Sequence, residues 1–167
     1  MKKRNFGFIV SVAFALLVLF SSCVSREEKM LEGEWYGELQ TVDDDGEEMT
    51  LKISLKFNRE KDLMTSRIGY AFQNYGTIAY VTFKGDYLAD DKEITMFPDD
   101  DAVKVKYTDA IKNYVDALGM DLSSYEDMLK LALSGMMDIW EDIPIKSLKS
   151  NRLVLDIDDD EVVFHKK

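Results

Sequence analysis

Met49-Thr50-Leu51-Lys52-Ile53-Ser54-Leu55-Lys56-Phe57 decides the fold of this chain. Apolar and polar residues alternate without a break, the period of a strand with one face in a core and the other in water. Asp43-Asp44-Asp45-Gly46 lies just before it, and Asp-Gly tolerates the positive φ of a hairpin turn. Upstream of that turn Leu31 to Val42 contains another strand, with Trp35, Gly37, Leu39 and Thr41 on one face and Tyr36, Glu38 and Gln40 on the other. Downstream, past the polar turn Asn58–Asp62, a third strand sets Met64, Ser66, Ile68, Tyr70 and Phe72 to one side. Asn74-Tyr75-Gly76 turns the chain into a fourth, with Ala79, Val81, Phe83, Gly85 and Tyr87 aligned. Ile94 and Met96 open a fifth after Ala89-Asp90-Asp91-Lys92, Pro98-Asp99-Asp100-Asp101 stops it, and Val103, Val105 and Tyr107 make a sixth. Short strands separated by turn signals predict a mainly β domain, an antiparallel meander closing as a barrel or sandwich.

The period changes at Thr108. Ile111, Tyr114, Val115 and Leu118 recur at helical spacing, with Thr108 placed to cap the start and Gly119 to close the end. Ser123 with Glu126 reads as the capping box of a second helix, whose face holds Tyr125, Met128, Leu129, Ala132, Met136, Ile139 and Trp140 and which Pro144 ends. Period two returns at Leu153, Leu155 and Ile157, and Val162 and Phe164 follow a turn at Asp158-Asp159-Asp160. The expectation is seven or eight strands, with a two-helix insertion over 108–143 before the last strands.

The start of the chain is an address rather than a fold element. Lys2, Lys3 and Arg4 precede a 15-residue apolar run, Phe6 to Phe20, and no acid occurs before Glu27. A helix of that length spans about 22 Å against a hydrocarbon core of roughly 30 Å, short for a stable span and suited to a secretory signal. Leu19-Phe20-Ser21-Ser22-Cys23 resembles the lipobox of bacterial lipoproteins. That resemblance implies cleavage before Cys23, lipidation of Cys23 with a diacylglycerol and an acyl chain such as palmitate, and residence in the cell envelope, at the periplasmic or surface face of the outer membrane. The acids after the Cys also resemble a surface-export signal of some Gram-negative lipoproteins. On this reading 1–22 is signal peptide, 23–30 is the lipidated Cys and a charged tether, and 31–167 is the domain. The mature chain holds 18 basic and 32 acidic residues, a net charge of −14.

Gly33-Glu34-Trp35, at the start of the first strand, resembles the Gly-X-Trp signature of lipocalin-like (calycin) barrels. Gly33 and Trp35 are thereby expected at the floor of a lipocalin-like barrel, with Trp35 packed across it. The resemblance also covers Phe83-Lys84-Gly85-Asp86-Tyr87 with the turn and Ile94 that follow, but leaves out the insertion at 108–143.

Composition narrows the chemistry. The hydrophobic fraction of 46% excludes a mainly disordered chain. The acidic balance argues against nucleic acid. One Cys and one His exclude zinc sites built from several such residues, and no metal or other cofactor is expected. His165 alternates with Phe164, so it faces outward, away from any nucleophile it would need to activate. The acidic runs, Asp43–Asp45 with Glu47 and Glu48, Asp99–Asp101, and Asp156 with Asp158–Glu161, could supply some calcium ligands, but they fall where turns are expected and match no EF-hand loop, so solvated turns are expected. No enzyme activity is expected. Two roles fit: a lipid-anchored module binding a small apolar or amphipathic molecule in the barrel, or an interaction lipoprotein whose filled barrel docks an envelope protein. Tyr125, Met128, Met136 and Trp140 are the candidate pocket or partner face in either case.

Overall fold

The computed structural model describes residues 25–42, 46, 48–99, 103–127 and 142–167. A short helix, α1 (Arg26–Leu31), leads into β1 (Gly33–Val42), β2 (Glu48–Asn58), β3 (Leu63–Phe72), β4 (Gly76–Ala89), β5 (Glu93–Pro98) and β6 (Lys104–Tyr107). Helix α2 (Ile111–Ala117) follows, then β7 (Asp142–Leu148), β8 (Arg152–Ile157) and β9 (Asp160–Lys166). The strands run in the order β3-β2-β1-β9-β8-β7-β5-β4, and a β3–β4 ladder joins the two ends. The result is a closed antiparallel eight-stranded barrel of lipocalin-like form. Strand β6 continues along the edge of β4 past the end of β5, so β5 and β6 act as one strand interrupted at 99–103. The wall closes through ladders of uneven length, β1 meeting β9 only at Trp35, Tyr36 and Gly37.

The alternation in the sequence is the inside–outside alternation of the wall. Trp35, Ile53, Leu55, Phe57, Met64, Ile68, Val81, Phe83, Tyr87, Met96, Leu155 and Phe164 point inward and are nearly or wholly buried in one continuous core. Each such side chain contributes roughly 1.5–3 kcal/mol relative to its exposed state. The turns use the expected chemistry. The Asp90 carboxylate accepts from the Lys92 and Glu93 amides at 2.7 and 3.0 Å, which holds its pKa below the usual range. Asp62, Asp158 and Asp159 take positive φ. Gly85 is required for a different reason. A Cβ there would stand 2.2 Å from the Phe97 carbonyl oxygen, so only glycine lets β4 and β5 approach.

The barrel has eight strands, as expected; because β5 and β6 are separate segments, nine strand segments occur among the described residues, and the helical segment precedes the last three of them. Other expectations need correction. Pro144 does not end a helix; it lies inside β7, and the 108–143 insertion therefore gives way to strand at Asp142. Proline is tolerated there because Pro144 faces Glu93 at a non-hydrogen-bonded position, the Ile145 amide carrying the bond to the Lys92 carbonyl, and the ladder to β8 starts only at Ile145. The caps also differ. The Thr108 hydroxyl donates to the Thr77 carbonyl at 2.6 Å, tying the loop to β4 instead of capping α2. Asp121, not Ser123, caps the helical turns at 122–127: its carboxylate accepts from the Ser124 amide at 2.9 Å and hydroxyl at 2.8 Å. Residues read as a tether, Arg26–Glu28–Lys29 among them, form α1, started by a capping box of Ser25 and Glu28.

Two consequences are measurable. Gly85→Ala should destabilise the domain by about 1–3 kcal/mol in denaturant melts, whereas Gly69→Ala, whose Cβ would meet the side chains of Tyr80 and Thr77 rather than backbone, should cost less. Burial pushes the phenols of Tyr70, Tyr87 and Tyr125 up to about 12, with nearby Glu28, Glu32 and Asp62 adding to the effect at Tyr87. In the unfolded chain a phenol ionises near 10. Between about pH 10 and 12 the folded chain thus keeps protons that the unfolded chain releases, so stability is full below pH 10 and is lost as pH rises towards 12. Tyr87→Phe should flatten that decline without weakening the fold at pH 7, because the Tyr87 hydroxyl has no hydrogen-bond partner among the described residues. Denaturant melts across this range test both points.

Candidate functional site

The first site candidate is the barrel floor, and its residues lock together. Trp35 is fully buried, and its Nε1 donates to the Leu31 carbonyl at 2.6 Å, fixing α1 beneath the barrel. Lys166, on the last strand, pairs in register with Trp35. Its Nζ stands 5.1 Å from the indole centroid and donates to the Met30 carbonyl at 2.9 Å. One ammonium therefore satisfies a helix-end carbonyl and faces the indole π-system. Gly33 makes room for it: φ is +113°, and a Cβ would lie 3.2 Å from the Lys166 stem. Glu34 points outward and pairs with Lys56 at 3.4 Å. Each position of Gly33-Glu34-Trp35 thus has its own reason. This knot is built of packing and internal hydrogen bonds: the buried Trp35 Nε1 and the Lys166 ammonium are both partnered.

The second candidate is the opposite end. Helix α2 lays Ile111, Tyr114 and Val115 against Phe72, Ile78 and Ala79 in a second, smaller core. Tyr114 stacks on Phe72 with centroids 4.5 Å apart, and Tyr125 meets Tyr114 edge-on at 5.9 Å. Tyr125, expected at a pocket or partner face, is buried in this aromatic cluster and forms part of the packing. Gly119, at φ +67°, closes α2 as expected. Met128, Met136 and Trp140 lie outside the described residues, as does Cys23.

The third candidate escaped the sequence reading. A groove of about 710 Å³ crosses the outside of the barrel over β4, β3, β2, β1 and β9. Its lining includes the outward-facing Tyr36, Lys52, Ser54, Arg67, Tyr80 and His165. Arg67 lies over the Tyr80 ring at 3.9 Å. The Tyr36 hydroxyl donates to Glu34 at 3.0 Å. His165 is exposed, as its register predicts, and belongs to this groove. No signal within a single strand marks the site, because its residues come together only through cross-strand register.

Among the described residues no group of three or more His, Cys, Asp or Glu is placed to hold an ion. Asp156 is engaged by Lys146 at 2.6 Å. No family model matches the chain, and no curated protein matches its sequence.

The floor knot makes a testable claim. Lys166→Met keeps the stem but removes the ammonium, and should cost about 1–3 kcal/mol in urea melts. In a Trp140→Phe background the emission of Trp35 should report the change of environment. A Lys166→Met protein as stable as the parent would show that the ammonium does not hold α1.

Proposed function

We propose that this chain is a lipid-anchored lipoprotein of the bacterial envelope whose barrel is a packed scaffold for surface interactions. The observation that carries the anchor is Cys23, the only cysteine, placed directly after the basic start, the apolar run and Ser21-Ser22. Each buried methylene of an attached chain is worth about 0.8 kcal/mol, and two or more chains give stable anchoring. Outer-membrane residence, at the periplasmic or surface face, follows from the same resemblance.

The scaffold half of the reading is supported by the interior. The space a lumenal ligand would occupy in an open lipocalin-like barrel is filled by Ile68, Val81, Phe83, Leu155 and their neighbours. One large concavity crosses the outer wall, and a second lies at the β1–β2–β3 end of the barrel, lined by both inward- and outward-facing residues such as Met49, Phe72 and Lys52. A small apolar molecule inside the barrel would have to displace core side chains, at several kcal/mol. A docking role on the outer wall or helical end requires no such displacement. A lipocalin-like fold alone does not decide between the two, because function lives in a site.

Metabolic labelling with tritiated palmitate tests the anchor. The parent should carry label and sediment with membranes, and Cys23→Ala should do neither; label retained by Cys23→Ala would overturn it. Titration of the soluble domain with neutral N-phenyl-1-naphthylamine tests the filled barrel. No saturable fluorescence rise is expected, and a rise blocked by enlarging an interior residue, such as Val81→Phe, would restore a lumenal ligand.

A further inference from the structure

The outer groove is cationic on a protein that is otherwise strongly acidic. Its lining holds Lys52, Arg67 and Glu38, and two cross-strand rows pass through it and carry Lys104 and Lys106 beside it. In one, Lys106, Tyr80, Gly69, Lys52 and Glu38 stand side by side across β6, β4, β3, β2 and β1. In the next, Lys104, Thr82, Arg67, Ser54, Tyr36 and His165 do the same and extend the row to β9. The two rows contain four permanent cations and a single carboxylate, in a mature chain of net charge −14. Neither Lys52 nor Arg67 has a salt-bridge partner among the described residues. Of the described carboxylates beside them, Glu38 lines the groove, and Glu34 is engaged by the Tyr36 hydroxyl and by Lys56.

The shape is set by small residues between large ones. Ser54 lies between Tyr36 and Arg67, two strand spacings or roughly 9.5 Å from backbone to backbone. Gly69 does the same beside Lys52, and its lack of a side chain lets the Tyr80 ring lie against β3: a Cβ there would stand 2.9 Å from that ring. Tyr80 in turn carries the Arg67 guanidinium at 3.9 Å. The guanidinium is thus held on a ring that the backbone supports. The groove, about 710 Å³, is within the size of small-molecule sites.

We infer that this groove is a binding site for a small organic anion, a carboxylate or phosphate carried on a flat ring. The ring lies over Ser54 between Tyr36 and Arg67, and the anionic group is met by Arg67 and Lys52, with the Ser54 hydroxyl as a further donor. Lys104 and Lys106 on the rim raise the local anion concentration, an effect that salt screens. The inference rests on the scaffold reading only in setting the ligand outside the barrel.

The test uses the soluble domain with Cys23→Ala and the probe 1-anilinonaphthalene-8-sulfonate, a ringed anion. Saturable binding is expected, weakened about tenfold by Arg67→Gln and again by Lys52→Gln. Binding should also weaken as salt rises, and both benzoate and phenyl phosphate should compete. Lys146→Gln, on β7 and outside the groove, is the control for net charge and should change binding little. Affinity unaltered in the Arg67→Gln, Lys52→Gln double variant, with its melting temperature preserved, would overturn the site, as would the absence of saturable binding. Neutral N-phenyl-1-naphthylamine separates the two readings: its binding would defeat the filled barrel, whereas loss of the anion site alone would leave that reading intact.

Discussion

Three residue pairs between β1 and β9 hold this protein together. Trp35 faces Lys166, Tyr36 faces His165 and Gly37 faces Phe164. This short ladder joins the meander at the start of the domain to the strands at its end, and without it the wall has a gap. Each pair also does something different. Trp35 and Lys166 tie α1 to the floor. Gly37 lets the Phe164 ring enter the core, since a Cβ would stand 2.9 Å from it. Tyr36 and His165 face outward and form one wall of the groove. Floor, core and outer surface are therefore set by one register, and a slip of one residue would exchange inside for outside along the whole strand.

Much of the wall was readable in advance because a strand's period is local. Met49 to Phe57 shows its buried face by itself, and Ile53, Leu55 and Phe57 are buried as that face requires. What could not be read was whatever depends on partners. Pro144 looks like a helix stop because proline usually is one, and only the ladder to β5 shows it as a strand residue at a position where no amide is needed. Asp121 and Ser123 are both good caps by composition, and geometry alone chooses Asp121. Lys166 reads as a charged terminal residue, yet its register turns it under the barrel against Trp35. The groove shows the same limit more strongly. Lys52, Arg67 and Lys104 are unremarkable solvent-face residues of separate strands until the ladders align them.

The distribution of charge follows from this division between turn and wall. Asp is concentrated where the chain reverses, as at Asp90, Asp158 and Asp159, where its carboxylate accepts nearby amides or its backbone takes positive φ. The wall's polar face on β2, β3 and β6 draws mainly on Lys and Arg, whose long stems cover apolar surface. The net charge of the chain accordingly conceals two surfaces of opposite sign, an acidic rim of turns and a basic flank.

The Lys166–Met30 bond spans 136 positions of sequence. A fold whose first and last segments are immediate neighbours cannot assemble progressively as the chain emerges, since loop closure over such distances is slow and late. Until β9 arrives, β1 and β8 each present a bare row of amides and carbonyls, open to annealing with the same segment of a second molecule. Premature termination or proteolytic trimming within the last strand would therefore convert a closed wall into a sticky open ribbon, prone to fibrous self-association rather than to simple loss of stability.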